Sequence, residues 1–291
     1  MTRFAFGVAR IPILLAVLWL VFASVLPLAM ERYPAFTLSR GAGAGCLTRP
    51  GGFQPGVDPC LRSIADVYSR PLPDVVIEAA GRSIALLAAV SFFAFTAGML
   101  LGILAALLRQ RSLASGAILA STGAIAAIPS FFLAYFLQIL FIFIGGATGH
   151  TILPVFGFGL DGHLVLPLLA LSAPAVATTA QLTAVRMGEV FDADFITTAN
   201  AKGLLPSWII RVHVLPHVLP VSLEAVGSGL RVAVASLPIV EYILLWNGIG
   251  FVALQAIALR DPAALTACAI VLSALFAFTS LLLDLRRTRF H

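Results

Sequence analysis

Five ionisable residues stand near or inside long apolar stretches: Glu78, Arg82, Glu224, Arg231 and Glu241. A charged side chain in such a stretch is costly against lipid, so it faces a bundle interior or a cavity and often marks a transport path. Glu78 and Arg82 are four apart, share a helix face and can pair. Glu224 and Arg231 are seven apart and also share a face. For Glu224, Arg231 and Glu241 two readings are open: they line a translocation path for a charged or zwitterionic solute, or they make internal ion pairs. Glu78 lies close to the end of its run, where a structural pair or a snorkelling side chain is expected.

Covalent and metal chemistry find little support. His150, His163, His213 and His217 do not cluster along the chain, and Pro216 interrupts the one helical two-ligand spacing, His213 and His217. No metal site is expected. There is no Gly-x-Ser-x-Gly, no His-Glu-x-x-His and no Cys-x-x-Cys. Lys202 is the only lysine and is followed by Gly203 and Leu204, so a Walker A nucleotide loop is excluded. No catalytic residue and no resident cofactor are expected.

The elements that must position these residues follow from composition. Of 291 residues, 60% are hydrophobic and 11% charged. A soluble domain carries about 25% charged residues, and disorder requires low hydrophobicity, so both classes are excluded. Six apolar runs are readable, at about residues 8–30, 75–108, 113–144, 164–185, 218–246 and 263–283. Each is long enough to span a bilayer core, which takes roughly 20 apolar residues. An all-α integral membrane protein with six transmembrane helices is expected. The first run exceeds the usual apolar stretch of a signal peptide and reads as an uncleaved span, residues 1–30. Residues 31–74 form a polar Gly/Pro-rich loop, and residues 75–291 hold the remaining five spans.

Orientation follows from Lys and Arg in the connections. With the N-terminus inside, the inner segments hold ten basic residues and the outer ones six, five of which fall in the 31–74 loop. Both termini are then cytoplasmic and that loop is outside, where disulfides persist. A Cys46–Cys60 bridge there would contribute about 3 kcal/mol on the loop-entropy model; two free thiols are the alternative.

The inner interval 187–217 is too polar to span and too patterned for a linker. Asp192 and Asp194 are acceptable N-caps. Residues 195–202 can form two helical turns, Gly203 suits a left-handed end, and Pro206 suits the first turn of a second helix running towards His213. Ala199 and Ala201 permit close approach of another surface. Phe195, Ile196, Trp208 and Ile209 offer apolar anchors of the kind that dominate interfaces. The bland alternative is an ordinary re-entry loop packed on the chain's own helix ends.

The run Asp194-Phe195-Ile196-Thr197-Thr198-Ala199-Asn200-Ala201-Lys202-Gly203-Leu204, followed by Arg211-Val212-His213-Val214-Leu215-Pro216, resembles the coupling loop of ABC importer permeases, most of all the dipeptide/oligopeptide/nickel branch. Ile128-Pro129-Ser130-Phe131-Phe132, Leu153-Pro154-Val155-Phe156-Gly157, His163-Leu164-Val165-Leu166-Pro167, the stretch from Glu241 through Trp246 to Gly250, Arg260-Asp261-Pro262 and Asp284 resemble further family segments in order and spacing. The resemblance covers almost the whole chain and implies a type I ABC importer permease fold in a bacterial inner membrane. It implies a second homologous permease subunit, two ATPase subunits that bind ATP and magnesium, and an extracytoplasmic substrate-binding protein, with no nucleic acid partner. It implies that Phe195, Ile196, Thr198, Ala199, Ala201, Lys202 and Gly203 couple to an ATPase subunit, and that the cargo is a peptide or a related small solute such as a nickel chelate or haem. Departures are Asn200 where a basic residue is usual, Asn247 where proline is usual, and the charges Glu224 and Arg231 in an apolar run. A stand-alone secondary transporter or channel is the competing class. It predicts internal repeats around paired broken helices, and no convincing repeat is visible among the six runs.

Overall fold

The computed structural model describes residues 63–109 and 112–287, and every regular element among them is helical. The expected span at residues 1–30 and the Cys46–Cys60 bridge lie outside the described residues. In chain order the helices are α1 (Ile64–Tyr68), α2 (Leu72–Leu107), α3 (Ser112–Ala126), α4 (Ser130–Thr148), α5 (Val165–Phe191, after a 3-10 turn), α6 (Asp194–Ala201), α7 (Pro206–Ile209), α8 (Leu215–Leu244), α9 (Ile249–Leu259) and α10 (Pro262–Arg287). Among the described residues five helical stretches are long and apolar enough to cross a membrane: Leu72–Leu107, Ser130–Thr148, Gly162–Phe191, Pro206–Leu244 and Pro262–Ser280.

Three run boundaries differ from expectation. The run at 113–144 is not one span but two helices. Proline pushes the residue before it out of helical conformation, and Pro129 itself is extended, with φ −54° and ψ 136°. The fourth run does not stop at Arg186 but stays helical to Phe191. The fifth starts at Pro206 rather than 218: α7 passes into a π-helical stretch, Ile210–Val214, and on into α8. The Leu215 N–H donates to the Ile210 carbonyl, five residues back. Pro216 brings no N–H for the Val212 carbonyl and needs room beside it, so the turn widens where the ring sits.

The described residues divide into two compact units, which α2 and α10 both enter. One comprises the described residues up to Ile84 together with Trp246–Phe278. Its organising group is Asp261. Oδ1 accepts the Ala264 N–H at 3.0 Å, capping α10 behind Pro262, and Oδ2 accepts the Ile64 N–H at the start of α1, 2.9 Å away. Arg260 closes α9 in the left-handed region, φ 57°. The Arg260-Asp261-Pro262 run is thus a helix stop, a cap and a helix start in succession. Trp246 is fully buried and donates its indole N–H to the Arg82 carbonyl at 3.4 Å, and Ser83 Oγ accepts the first N–H of α9 at 2.8 Å. Asn247 is also left-handed, φ 52°. Asn tolerates this conformation; proline, locked near φ −65°, cannot adopt it, so the backbone before Gly248 differs here from one built on proline.

The other unit holds Ala85–Leu245 and the residues from Thr279 on. It is built on backbone contact between helices. A methyl group at Gly229 of α8 would lie 2.3 Å from Ala175 Cα of α5. One at Gly102 of α2 would lie 2.6 Å from the Ala180 carbonyl oxygen of α5, and one at Gly98 2.6 Å from Thr179 Cβ. Small residues at such positions let membrane helices pack by van der Waals contact. Hydrogen bonds also cross this packing: Thr183 Oγ1 and Ser222 Oγ share a buried one of 2.7 Å between α5 and α8, and Gln138 Nε2 of α4 donates to the Ile243 carbonyl at 3.1 Å. The Gly157 N–H donates to the Leu244 carbonyl at 3.0 Å, satisfying the end of α8.

Gly229→Leu is therefore expected to destabilise the protein by about 3 kcal/mol or more, read as a lowered unfolding midpoint in detergent. Gly116→Ala, with open space at its Cβ, should stay within about 0.5 kcal/mol of wild type. Asn247→Pro should cost more than about 1 kcal/mol in the same assay, and Asn247→Gly less than that.

Candidate functional site

The segment between α5 and α8 is held at several points along its length. Helix α5 ends at Phe191 with Asp192 as its C-cap, and Ala193 turns extended before α6 begins. Neither aspartate caps α6: Ala193 occupies the N-cap position without a side-chain bond and Asp194 is the first helical residue. Asp192 is engaged elsewhere, its Oδ1 lying 3.0 Å from Arg109 Nη2.

The end of α6 matches expectation. Gly203 is left-handed, φ 74°; its N–H donates to the Asn200 carbonyl at 2.9 Å, and the Leu204 N–H donates to the Ala199 carbonyl at 3.3 Å. This paired arrangement is the Schellman termination, with the following apolar residue packed back on the helix; Leu204 packs on the cluster that holds Ile196 and Ala199. Pro206 then opens α7 from its first turn.

Ile196 is 4% exposed and Ala199 5%. They join Ala106 of α2, Met187 and Val190 of α5, and Ile209, Val214 and Val218 in one apolar cluster. This corrects the expectation that Ile196, Ala199 and Ile209 face a partner: α6 needs an apolar side to sit on the bundle, and these residues supply it. With about 3.6 residues per turn, Thr198 and Ala201 fall on the opposite side of α6. Both are exposed, as are Lys202 and Gly203. Three apolar side chains also stay in the open: Phe195, 44% exposed, Leu205, 71%, and Trp208, 53%. The Phe195 ring lies 5.7 Å from the His217 ring. The exposed coupling candidates are thus Phe195, Thr198, Ala201, Lys202 and Gly203. Leu205 joins them, an apolar residue next to Pro206 that sequence reasoning passed over.

Arg109 was also missed. It sits just past α2, donates to the Gly188 carbonyl at 3.4 Å, pairs with Asp192, and its guanidinium lies 5.4 Å from the centre of the Phe191 ring. It was legible only as a topology-setting charge, because its partners lie about 80 residues away in sequence.

The remaining candidates separate. Glu224 and Arg231 are half-buried along α8, and Glu241 near its end is fully buried. Glu78 pairs with Arg82 as expected, and also with Arg70. They line a cleft of about 110 Å³ with Tyr68, Ala79 and Asn247. Burial pushes the Tyr68 phenol above its usual 10.0; its hydroxyl donates to Gln255 Oε1 at 2.9 Å. Among the described residues no group of three or more His, Cys, Asp or Glu side chains could hold a metal ion. His163 instead pairs with Asp161 at 2.6 Å, which holds that carboxyl below its usual 3.8.

Comparison with known proteins fits this geometry. Residues 98–290 match the family model described as the binding-protein-dependent transport system inner membrane component. The chain belongs to that family, the permeases of ABC importers. A putative peptide transport system permease protein of Brucella abortus is 28% identical over 230 residues, which cover 76% of this chain and 71% of that one. A di/tripeptide transport system permease protein of Pseudomonas aeruginosa is 34% identical over 93 residues, 32% of this chain and 28% of the relative. The chain spans less than a third of the length of this and other relatives of similar rank, 28% to 31%. An inward-facing structure of the MetNI methionine ABC transporter superposes with a TM-score of 0.55 at 18% identity, covering 75% of this chain and 94% of that one; this establishes the shared fold alone.

The permease core predicts a sharp contrast within α6. Ile196→Ala should lower stability by about 2–4 kcal/mol, read from intrinsic tryptophan fluorescence during thermal unfolding in detergent. Thr198→Ala should stay within about 0.5 kcal/mol.

Proposed function

We propose that this chain is one permease subunit of an ATP-driven peptide importer in a bacterial cytoplasmic membrane. It pairs with a second homologous permease, spans the membrane six times and keeps both termini in the cytoplasm. An extracytoplasmic binding protein delivers the cargo, and two cytoplasmic ATPase subunits bind ATP and magnesium and do the hydrolysis. The permease itself makes and breaks no covalent bond. The names of the two relatives support a peptide cargo; a nickel chelate or haem are the related alternatives.

The observation that carries the proposal is the two-sided build of α6. One side is fixed in the bundle by Ile196 and Ala199; the other offers Thr198 and Ala201, flanked by exposed Phe195, Leu205 and Trp208. Apolar side chains left open in a polar setting mark an interaction surface, and a tryptophan among them is a frequent anchor. A partner that grips this face moves α6 together with the helix ends beneath it. ATP-driven closure of the ATPase pair would then tip the helix bundle from inward-open to outward-open as a rigid-body transition between two packings. Glu224 and Arg231 are the path-lining candidates that remain partly open, while Glu241, buried in its own chain, fits a packing role.

The test is co-purification. Tagged wild-type chain, expressed with its genomic neighbours, should bring down two ATPase subunits, and Ala201→Glu should lose them while leaving the permease pair intact. Wild type that retains no ATPase would favour a stand-alone transporter, and an Ala201→Glu variant that still binds would move the docking face elsewhere.

A further inference from the structure

Helix α6 is joined by the chain to α5 through residues 192–193 and to α8 through the turn at Gly203 and the helix that starts at Pro206. Helix α2 has no such link. Its inner end meets the segment through Ala106 and Ile103 in the apolar cluster, and through the guanidinium just past its last turn. We propose that Arg109 is a positioning residue that ties α2 to the coupling segment, so that displacement of α6 is delivered to a third helix. This rests on the coupling role proposed above for that segment.

The geometry suits a tie rather than a chance surface pair. Arg109 makes contacts of three kinds to one short stretch: the ion pair to Asp192, the hydrogen bond to the Gly188 carbonyl and the ring face of Phe191. Gly188 and Asp192 lie in the last turn and at the cap of α5, where a positive charge is favoured by the helix dipole. The planar fork of arginine can address a carboxylate and a carbonyl together, which a lysine ammonium cannot do with the same preorganisation. Phe191 also packs against the cluster containing Ile196 and Ala199, so the guanidinium rests on the residue that connects the α5 end to the α6 seat. An apolar cluster alone holds distance but tolerates sliding and rotation; directional bonds at its edge fix the angle between α2 and the segment. Ser115 Oγ of α3 donates to the Ala105 carbonyl at 2.9 Å, so α3 follows the same end of α2.

The tie is tested in the assembled complex of the full chain with its partner permease and ATPase subunits, in nanodiscs. Nitroxide labels are placed at Leu104→Cys on α2 and Asn200→Cys on α6, both exposed, with native cysteines replaced by serine. Pulsed electron resonance then reads the label distance with and without ATP–vanadate trapping. The expected result is one narrow distribution that trapping leaves unchanged, and a distribution that broadens or shifts on trapping in Arg109→Ala. Uptake of a dipeptide mixture per ATP hydrolysed should fall about two- to fivefold in the same variant, the range an exposed charge pair supports. Arg109→Lys should restore only part of either readout. A merely structural role would reduce the amount of complex and leave the distribution and the ratio in the remainder unchanged. If Arg109→Ala does not assemble, Asp192→Asn removes the ion pair alone and carries the same expectation. Distributions indistinguishable from wild type in whichever of the two variants assembles would overturn the tie. Failure of the coupling reading looks different: the wild-type chain then retains no ATPase subunits at all, and both inferences fall together.

Discussion

Helices α5 and α8 meet backbone to backbone. At Gly229 there is no space for even a methyl group against Ala175, and the Thr183–Ser222 hydrogen bond crosses the same interface. Lipid chains are as apolar as leucine, so this unit cannot rely on hydrophobic exclusion to bring helices together; close van der Waals fit and a few internal hydrogen bonds must serve. Because α5 runs into the α6 segment and the Pro206–Leu244 helical stretch runs out of it, their spacing sets where that segment stands. Helix α2, admitted by Gly98 and Gly102, completes the seat with Ala106. The segment inherits its position from glycines far from it in sequence.

Prolines shape the backbone around this frame. Pro174, Pro220 and Pro238 lie inside long helices without ending them. Pro129 does end one, because the chain turns extended there, and Pro206 and Pro262 start others at the position where their missing N–H costs nothing. In a bilayer any carbonyl left open must find a donor nearby. The Gly157 and Gln138 bonds to the final carbonyls of α8 show how closely that requirement is met.

Helical class, most of the apolar runs and the course of the chain from α6 into α7 were legible because each leaves a local mark: a long apolar run, a glycine where a left-handed turn must fall, a proline where a helix must start. Gly203 and Pro206 are where such marks placed them. Which side of α6 would face inward was not legible. Ile196 and Phe195 are both large and apolar, and only the presence of Met187, Val190 and Ala106 beneath one of them decides that Ile196 is core. Arg109 escaped for a related reason, since its carboxylate partner Asp192 is set by tertiary placement. The break at Pro129 was misjudged because a proline inside a membrane helix has two outcomes, a kink or a stop, and the residues around it do not choose between them.

The π stretch at Ile210–Val214 has a consequence for how the long helix is phased. Ile209 and Val214 are both buried although they are five residues apart, a spacing that in a regular α-helix would turn the second about 140° away from the first. The wide turn absorbs that angle. Residues before it are in step with α6, which keeps Trp208 outward, and residues after it are in step with α5, which keeps Val218, Ser222 and Ala225 inward. One continuous helical rod thus serves two differently oriented surfaces, and the widened turn is the gear that sets the offset between them.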